Sequence, residues 1–436
     1  LPLSDVSVTT TDFSKEVVTD TSGTFQLDGI SEGDILIFSA FGYDTMEFDY
    51  KGELAMEFFL NPEQLTLLDD VVVIGYGSQV KKEITGAVST VNSETLEQLK
   101  PVKVEQALQG TVSGVNVTAQ SGAPGSGYNI NIRGIATNGI TAPTVIIDGY
   151  IGDLSTLNPA DIENITVLKD AQAAIYGTIA ANGVILVTTK KGRKNRKIEF
   201  GYNAYYGIQE TSRKLPLLNA TEYALLLNES YANGGQNIPY PEIGNLLGIG
   251  TNWQDEVFSL APVMSHELSA AGGGEKVAYA LSASNLEQEG IVGEDKSGYK
   301  RNTARISLSG DLTDRLRFST NVNYMNINRK TLNENGLGSV LFNALNAPPT
   351  VPAYNDDGSF YLMPNTAGIG NEVINPLAQI ANTFNNYTMR KLSGTFELNY
   401  DLFKNFEVTG RVGFNSSNDD YRGFSPIVDY GGGKGF

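Results

Sequence analysis

The sequence predicts a mainly β protein, in which a small N-terminal β-sandwich and an α/β domain precede part of a transmembrane antiparallel β-barrel. Three observations carry this prediction. Several long stretches within residues 197–414 alternate strictly between apolar and polar side chains, as barrel strands in a bilayer do. Tight turns and long loops alternate between these stretches. The sequence has no run of about 18 apolar residues, so we expect no transmembrane helix.

The composition excludes several classes of function. The chain has 436 residues and a formal net charge of −18, so it lacks the basic character of a nucleic-acid-binding protein. It has no cysteine, which excludes disulfides, thiolate metal sites and thiol nucleophiles. His266, the single histidine, cannot form a histidine metal cluster. No nucleophile–base set is visible, so we expect no enzyme, no metal and no cofactor.

Residues 1–61 predict the small β-sandwich. Here "DVSVTT" alternates, "SGTFQLDGI" is typical of a turn and a strand, and "GDILIFSAFGY" is typical of a buried strand. A domain of roughly sixty residues has a marginal core. We therefore expect a first strand upstream and regard the chain as a fragment.

Residues 62–78 form a linker with one strong strand signal, "DVVVIGY" at 70–76. No hairpin turn is visible beside this segment. Two interpretations stay open at this point. The segment is either the last strand of the sandwich, or a free strand that another chain completes through backbone hydrogen bonds.

Residues 79–192 predict the α/β domain. A capping-box-like stretch at Ser93–Leu96 predicts a helix start, and helical periodicity continues through Val104–Leu108. Short helices are expected after Asn158 or Asp161 and over Asp170–Tyr176. The predicted strands are "GYNINIRGI", "APTVIIDGY" and "ANGVILVTTKKG", and the Gly-rich segments between them predict loops.

Residues 193–436 predict the N-terminal part of the barrel. Ile198, Phe200, Tyr202, Ala204, Tyr206 and Ile208 share one face of the first strand. Tight turns alternate with long loops at about 210–262, 289–298 and 331–387, and this asymmetry is typical of outer-membrane barrels. About seven strands cannot close around a domain as large as residues 79–192. Further strands are therefore expected beyond Phe436.

Several blocks carry a resemblance to a known family. They are "GTFQLDGISEGDILIFSAFGY", "LDDVVVIGYGSQVKKEITGAVSTV", "ALQGTVSGVNVTAQSGAPG", "NINIRGI", "PTVIIDG" and "NPADIENITVLKDAQAAIYGTIAANGVILVTTKKG". In this order and spacing the chain resembles the SusC/RagA-type TonB-dependent outer-membrane transporters of the Bacteroidota. Residues 1–61 resemble the carboxypeptidase-regulatory-like domain of that family, residues 62–78 its TonB box, and residues 79–192 its plug. Thr144 and the "GTIAANG" segment depart from the usual family pattern.

The resemblance implies a barrel of about 22 strands, filled by the plug. It implies an outer-membrane location, with the N-terminal domain and the TonB box in the periplasm. The implied partners are a SusD-like lipoprotein, the TonB–ExbB–ExbD complex, outer-membrane lipids and an oligosaccharide or peptide cargo. A dimer of transporter–lipoprotein pairs is also implied. The alternative is a scaffold subunit of a larger outer-membrane assembly without its own cargo.

The resemblance also assigns roles to residues. TonB binding falls on Asp70, Val71, Val72, Val73, Ile74, Gly75 and Tyr76. Structural roles in the plug fall on Arg133, Gly134, Asp148 and Gly149. We interpret the first set as the handle on which TonB pulls. For Arg133 and Asp148 two interpretations stay open, namely an ion pair in the plug core or a contact to the barrel wall, and strand-end residues followed by a glycine turn.

Other residues give weaker signals. Candidates for cargo contact in predicted loops are Tyr128, Asn138, Trp253, Tyr354 and Tyr361, although such residues equally anchor the loops themselves. The basic run at 190–197 favours a solvated linker over a lipid contact. The carboxylates at 355–359 favour a hairpin turn over a calcium loop, and a similar group lies at 415–420. His266 is interpreted as a bystander at a membrane interface.

Overall fold

The structure is a computed structural model of the chain. It describes residues 2–3, 6–11, 15–40, 45–52, 56–60, 71–74, 77–80, 88–135, 137–246, 248–333, 335–363, 373–404 and 406–431. The chain divides into two compact units, Leu1–Thr85 and Gly86–Phe436. Among the described helices, none is both long and apolar enough to cross a membrane. The mainly β fold class is confirmed.

The first unit contains a four-stranded antiparallel sheet in the order β2-β1-β3-β4. The strands are β1 (Ser7–Thr10), β2 (Glu16–Val18), β3 (Ile35–Ser39) and β4 (Met46–Asp49). Val8 and Phe38 are buried, and Phe25 and Phe58 pack against them from segments outside the strands. In the described residues the predicted sandwich is therefore one hydrogen-bonded sheet covered by irregular segments.

The segment with the strong strand signal forms a hairpin. β5 (Val71–Ile74) pairs antiparallel with β6 (Gly77–Val80), with Ile74 opposite Gly77. The prediction that no hairpin adjoins this strand is wrong, because two positions suffice to link hairpin strands. Asp70, Gly75 and Tyr76 lie outside the described residues.

The second unit begins with the α/β domain, which we call the plug (residues 88–189). Its main sheet has the order β11-β10-β13-β12-β7, with β10 and β13 parallel, and β8 and β9 form a separate hairpin. The strands are β7 (Val88–Asn92), β8 (Val115–Ala119), β9 (Tyr128–Ile132), β10 (Thr144–Ile147), β11 (Tyr150–Ile151), β12 (Ile162–Leu168) and β13 (Val184–Thr189). Apolar residues on one face of β12 and β13 lie in the core, among them Ile165, Val167, Ile185 and Val187.

Two short helices follow β7 in the plug, α1 (Ser93–Leu99) and α2 (Val104–Leu108). The N-cap of α1 is Asn92, one residue before the predicted cap Ser93, because the Asn92 side chain accepts a hydrogen bond from the Thr95 backbone N–H. The helices expected near Asn158 and Asp170 are 3₁₀ turns. These turns are Leu154–Thr156, Pro159–Asp161 and Asp170–Ala180.

Seven antiparallel strands in sequence order form the large sheet, which we call the wall. They are β14 (Arg196–Gln209), β15 (Ala261–Gly273), β16 (Val277–Gly290), β17 (Glu294–Thr313), β18 (Leu316–Lys330), β19 (Phe384–Phe403) and β20 (Phe406–Phe424). The number of strands matches the prediction. The expectation of a long loop at 289–298 is wrong. β16 and β17 continue into this region, and only residues 291–293 connect them.

Alternation divides the wall into two faces. Even-numbered positions on β17–β20 face outward, and Ile306, Phe396 and Val412 are exposed there. Odd-numbered positions in the middle of β17 and β18 face the plug, and Arg305 and Met325 are buried there. The predicted apolar face of β14 is likewise exposed. Tyr202 on this face shares a hydrogen bond with His266 of the neighbouring strand β15 at 2.9 Å.

Two long connections, 210–260 and 331–383, pack together at one end of the wall. They contain α3 (Ala220–Asn233), a 3₁₀ turn (Ile243–Leu246), α4 (Trp253–Val257), α5 (Val340–Asn346) and α6 (Pro376–Ala381). Trp253, Val340 and Met363 are buried in their shared core. The tight turns at 274–276, 314–315 and 404–405 lie at the other end.

Candidate functional site at the plug–wall interface

Two arginines of β17 reach from the wall into the plug. Arg301 and Arg305 lie four residues apart on the inward face, and each is 3% exposed. Arg301 Nη1 donates to the Val102 carbonyl at 3.0 Å, and its Nη2 donates to Asn158 Oδ1 at 3.4 Å. Arg305 Nη2 donates to Thr189 Oγ1. The two side chains therefore fix separate segments of the plug to one strand of the wall.

Asp148 of the plug makes a further contact between the plug and the wall. Its carboxylate accepts from the Thr189 backbone N–H at 3.0 Å and from the Thr189 hydroxyl at 2.6 Å. It also accepts from the side-chain amide of Asn321 on β18. The backbone of Asp148 is left-handed, with φ 47°, a conformation that Asp tolerates better than most residues. The carbonyl of the next residue, Gly149, accepts a hydrogen bond from Arg411 Nη1 at 3.1 Å.

Arg133 and Gly134 occupy a different place. Both have positive φ, at 56° and 95°, and they end β9. The Arg133 backbone N–H donates to the Gly114 carbonyl at 2.8 Å, which joins the two ends of the β8–β9 hairpin. The structure thus gives this pair a turn geometry, and the Arg133 side chain is exposed.

Buried charges surround these contacts on the plug side. Burial raises the pKa of the Asp161 carboxyl, although Arg305, Lys190 and Arg301 oppose the shift. Burial also raises the pKa of Glu105 and lowers the pKa of Lys103, which lies two residues away. A buried charge is costly unless it is paired. Removal of a residue that pairs with one of these buried charges should therefore destabilise the contact between the plug and the wall.

The Gly-rich loop at 120–127, which connects β8 and β9, contacts the wall. Gly125 has φ 66° and lies against the ring of Tyr299, which is 2% exposed. Lys103 Nζ donates to the carbonyls of Gly125 and Ser126 at 2.9 and 2.8 Å. Arg329 Nε donates to the Pro124 carbonyl at 2.8 Å. A wall side chain and a plug side chain therefore fix this loop together.

The predicted cargo residues do not come together in one site. Trp253 is 2% exposed and its ring N–H donates to the Pro348 carbonyl at 3.0 Å, so it anchors a loop and is not available to cargo. Tyr128 is partly buried, and its hydroxyl accepts from Gln106 at 2.6 Å. The ring of Tyr354 contacts the ring of Phe360 in a tilted arrangement, with centroids 5.4 Å apart, and Tyr354 remains 46% exposed. Asn138 is exposed and Tyr361 is partly exposed.

A cavity of about 390 Å³ lies between the two long connections beside Trp253. Its lining combines leucines with polar groups. The lining includes Leu215, Leu217, Asn219, Tyr223 and Asn252. In the described residues there is no group of three or more carboxylate or histidine side chains that could hold a metal ion. The turn at 355–359 is held by Asn355 and Ser359, with Ser359 donating to Asp357, as expected of a hairpin turn.

Sequence reasoning did not find Arg301, Arg305 and Asn321. The signal was present, because charged and amide side chains stand at inward positions of "RNTARISLSG" and "LRFSTNVNY". Which of the inward positions meet the plug depends on how the plug sits against the wall, and one strand's alternation does not contain that information.

The comparisons with known proteins agree with this architecture. The family profile described as TonB-dependent Receptor Plug Domain matches residues 80–184. TonB-dependent receptor P26 of Formosa agariphila is 35% identical over 395 residues, which cover 89% of this chain and 39% of that protein. TonB-dependent receptor SusC of Bacteroides thetaiotaomicron is 33% identical over 356 residues, which cover 79% of this chain and 34% of that protein.

A solved structure shares the fold. The RagAB peptide importer in its open-open state superposes with a TM-score of 0.66 at 24% identity, over 80% of this chain and 42% of that chain. The chain thus spans less than half the length of the relatives it matches. Plug profile, curated relatives and shared fold agree, and the chain belongs to the SusC/RagA-type TonB-dependent receptors, a family of outer-membrane proteins.

Proposed function

We propose that the protein imports a large nutrient, an oligosaccharide or a peptide, across the outer membrane. A SusD-like surface lipoprotein captures the cargo with it, in a dimer of transporter–lipoprotein pairs, and the TonB–ExbB–ExbD complex supplies energy. The proposal rests on the contact between the plug and the wall. Arg301, Arg305 and Asn321 of the wall hold the plug by hydrogen bonds and not by covalent bonds. Such contacts can break and re-form during each transport cycle. The protein transports and does not catalyse.

TonB pulls on the segment at 70–76. Among the described residues β5 and β6 form a two-stranded sheet, and a further strand can add to such a sheet through backbone hydrogen bonds. Such pairing needs little from the side chains and resists tension along the strand. The N-terminal unit and this segment lie in the periplasm, and the long connections 210–260 and 331–383 face the cell exterior.

The test uses the full-length transporter in cells that depend on it for a nutrient. We expect deletion of residues 70–76 to abolish uptake, whereas the amount of folded protein in the outer membrane stays the same. Val72→Pro should do the same, because proline removes a backbone N–H from β5. Val72→Thr keeps strand propensity and is the matched control. Unchanged uptake after the deletion would refute energised import and favour the scaffold alternative.

A further inference from the structure

A group of cations lies on the outward face of the wall, at the end where the long connections lie. Lys300, Lys330, Arg390 and Arg422 all occupy even-numbered positions of β17–β20 and are exposed. The same face carries Ile306, whose position the register fixes as outward. The four cations therefore point away from the plug and toward the surroundings of the wall.

The strand register brings these cations close together. Lys330 lies opposite Asn386, which lies opposite Arg422. Lys300 lies one outward row away, opposite Asn328, and Arg390 lies one row further, opposite Asn326 and Asn418. With strands about 4.8 Å apart and rows about 7 Å apart, the cations occupy an area of roughly 15 by 15 Å. We call these four residues, with the amides between them, the basic patch.

Carboxylates offset only part of this charge. Glu287 pairs with Lys300 at 3.0 Å, and Asp420 pairs with Arg422 at 3.0 Å. Glu289 is exposed on β16 beside the patch. Lys330 Nζ donates to the Asp295 carbonyl at 2.8 Å, which leaves its charge in place. Lys296 adds a further cation, 3.6 Å above the ring of Phe384. Glu294, exposed at the start of β17, is a fourth carboxylate, so the five cations outnumber the carboxylates by one in a chain with a net charge of −18.

An apolar band begins directly below the patch. The next outward rows carry Tyr324 and Leu392, then Ile306 and Phe414, and the band continues to Leu312 and Tyr400. From 304 to 312 the strand rises about 26 Å along its own axis. Allowing for strand tilt, this length suits the apolar band of an outer-membrane barrel. The basic patch therefore lies at the level of lipid headgroups.

We propose that the basic patch binds the phosphorylated sugar headgroup of an outer-leaflet glycolipid. Lysine and arginine bind phosphate oxygens, and the interleaved Asn326, Asn328 and Asn386 can hydrogen-bond sugar hydroxyls and acyl carbonyls. The inference rests on the proposed function for its orientation, because it needs the long connections to face the cell exterior. The ligand is a bound lipid and not a transported one.

The experiment titrates the full-length transporter in detergent with diphosphoryl lipid A and reads bound lipid by native mass spectrometry. We expect the triple variant Lys330→Glu/Arg390→Glu/Arg422→Glu to bind lipid A at least about tenfold more weakly. The matched control, Lys276→Glu/Arg315→Glu/Lys404→Glu, changes the same charge at the tight-turn end and should bind as wild type does. Heat-modifiable migration on gels shows that each variant is folded.

Three outcomes would overturn the proposal. The two triple variants could bind lipid A equally, or phosphatidylglycerol could bind as tightly as lipid A, which would leave only general attraction to anionic lipid. The patch variant could instead change the number of protein copies in the complex without changing lipid binding, which would make the patch an interface between copies. Phosphatidylethanolamine should bind weakly in every case.

A separate measurement isolates the orientation. These 436 residues contain no cysteine, so Asp357→Cys introduces a single thiol in a long connection once any cysteine elsewhere in the full-length protein is replaced by serine. Labelling of this thiol by a membrane-impermeant maleimide on intact cells is expected. Failure of that labelling would contradict the orientation in the proposed function, whereas the lipid titration in detergent does not depend on it.

Discussion

Asn321 of the wall donates its side-chain amide to the carboxylate of Asp148 in the plug, and to the hydroxyl of Thr189 at 3.1 Å. Thr189 is the last residue of β13, and Asp148 directly follows the parallel strand β10. One wall side chain therefore holds the ends of two neighbouring plug strands. Arg305 joins the same group through Thr189.

Asp148→Ala should loosen the plug. It removes hydrogen bonds to a charged acceptor, worth about 1.5–3 kcal/mol each, and places alanine in a left-handed conformation that costs roughly 1–2 kcal/mol. We expect a clear fall in the plug's melting temperature in calorimetry of the full-length protein. Asp148→Asn, which tolerates the same φ, should lose less. Equal melting of wild type and Asp148→Ala would show that this contact does not hold the plug.

Gly125→Ala should displace the loop at 120–127. The residue has φ 66°, and a Cβ there would overlap the Tyr299 ring. The left-handed backbone alone costs about 1–2 kcal/mol with a side chain. The matched control is Gly122→Ala, where no described atom lies within 4 Å of the new Cβ. Faster proteolysis of the 120–127 loop in Gly125→Ala, but not in Gly122→Ala, is the expected result; the same rate in both would contradict it.

The loss of stability caused by a charge on the outward face should depend on how deep in the membrane the charge lies. Leu308→Arg lies in the middle of the apolar band and should destabilise the folded barrel by about 2–4 kcal/mol, whereas Asn328→Arg near its edge should cost about 0–1 kcal/mol. Urea titration of the full-length protein in phospholipid vesicles measures both. If the two substitutions had the same effect, the outward face would not be a lipid face.

The N-terminal unit should lose stability in acid through Asp20. Hydrogen bonds from Thr24 and Ser22 lower the pKa of this carboxyl from 3.8 to about 2. Because the pKa is lowered in the folded state, the stabilisation is present above pH 3.8 and is lost as the pH falls through about 2. An acid-active protease should therefore cleave Asp20→Asn faster than wild type at pH 4.5, with no difference near pH 2. A difference that persists at pH 2 would contradict the assignment.

The sequence predicted those features of the fold that depend on the residue pattern of a single helix or strand. Alternation on β14 gave the outward residues Ile198–Ile208 correctly, because a strand's two faces follow from its own residues. Pairing between elements was harder. The β5–β6 hairpin was missed, since "GSQV" has little strand propensity by itself.

The candidate site was predictable only in part. Asp148 stood out because a carboxylate precedes glycine at a strand end, and the structure places it at the plug–wall contact. Its partners Asn321 and Arg305 lie more than 100 residues further along the chain, where nothing local marks them. Trp253 shows the converse, because an aromatic residue in a predicted loop became the core of a helical cluster once two distant connections packed together.

The most direct test of the account locks the plug to the wall. Asp148→Cys/Asn321→Cys, in the full-length protein with any cysteine outside these 436 residues replaced by serine, can be bridged by a short reducible bis-methanethiosulfonate cross-linker. Asn321→Cys/Thr395→Cys, which joins two neighbouring wall strands, is the control. We expect bridging of the plug pair to stop nutrient uptake, reduction to restore it, and bridging of the wall pair to have no effect. Full uptake with the plug pair bridged would contradict the claim that the plug must leave its seat for cargo to pass.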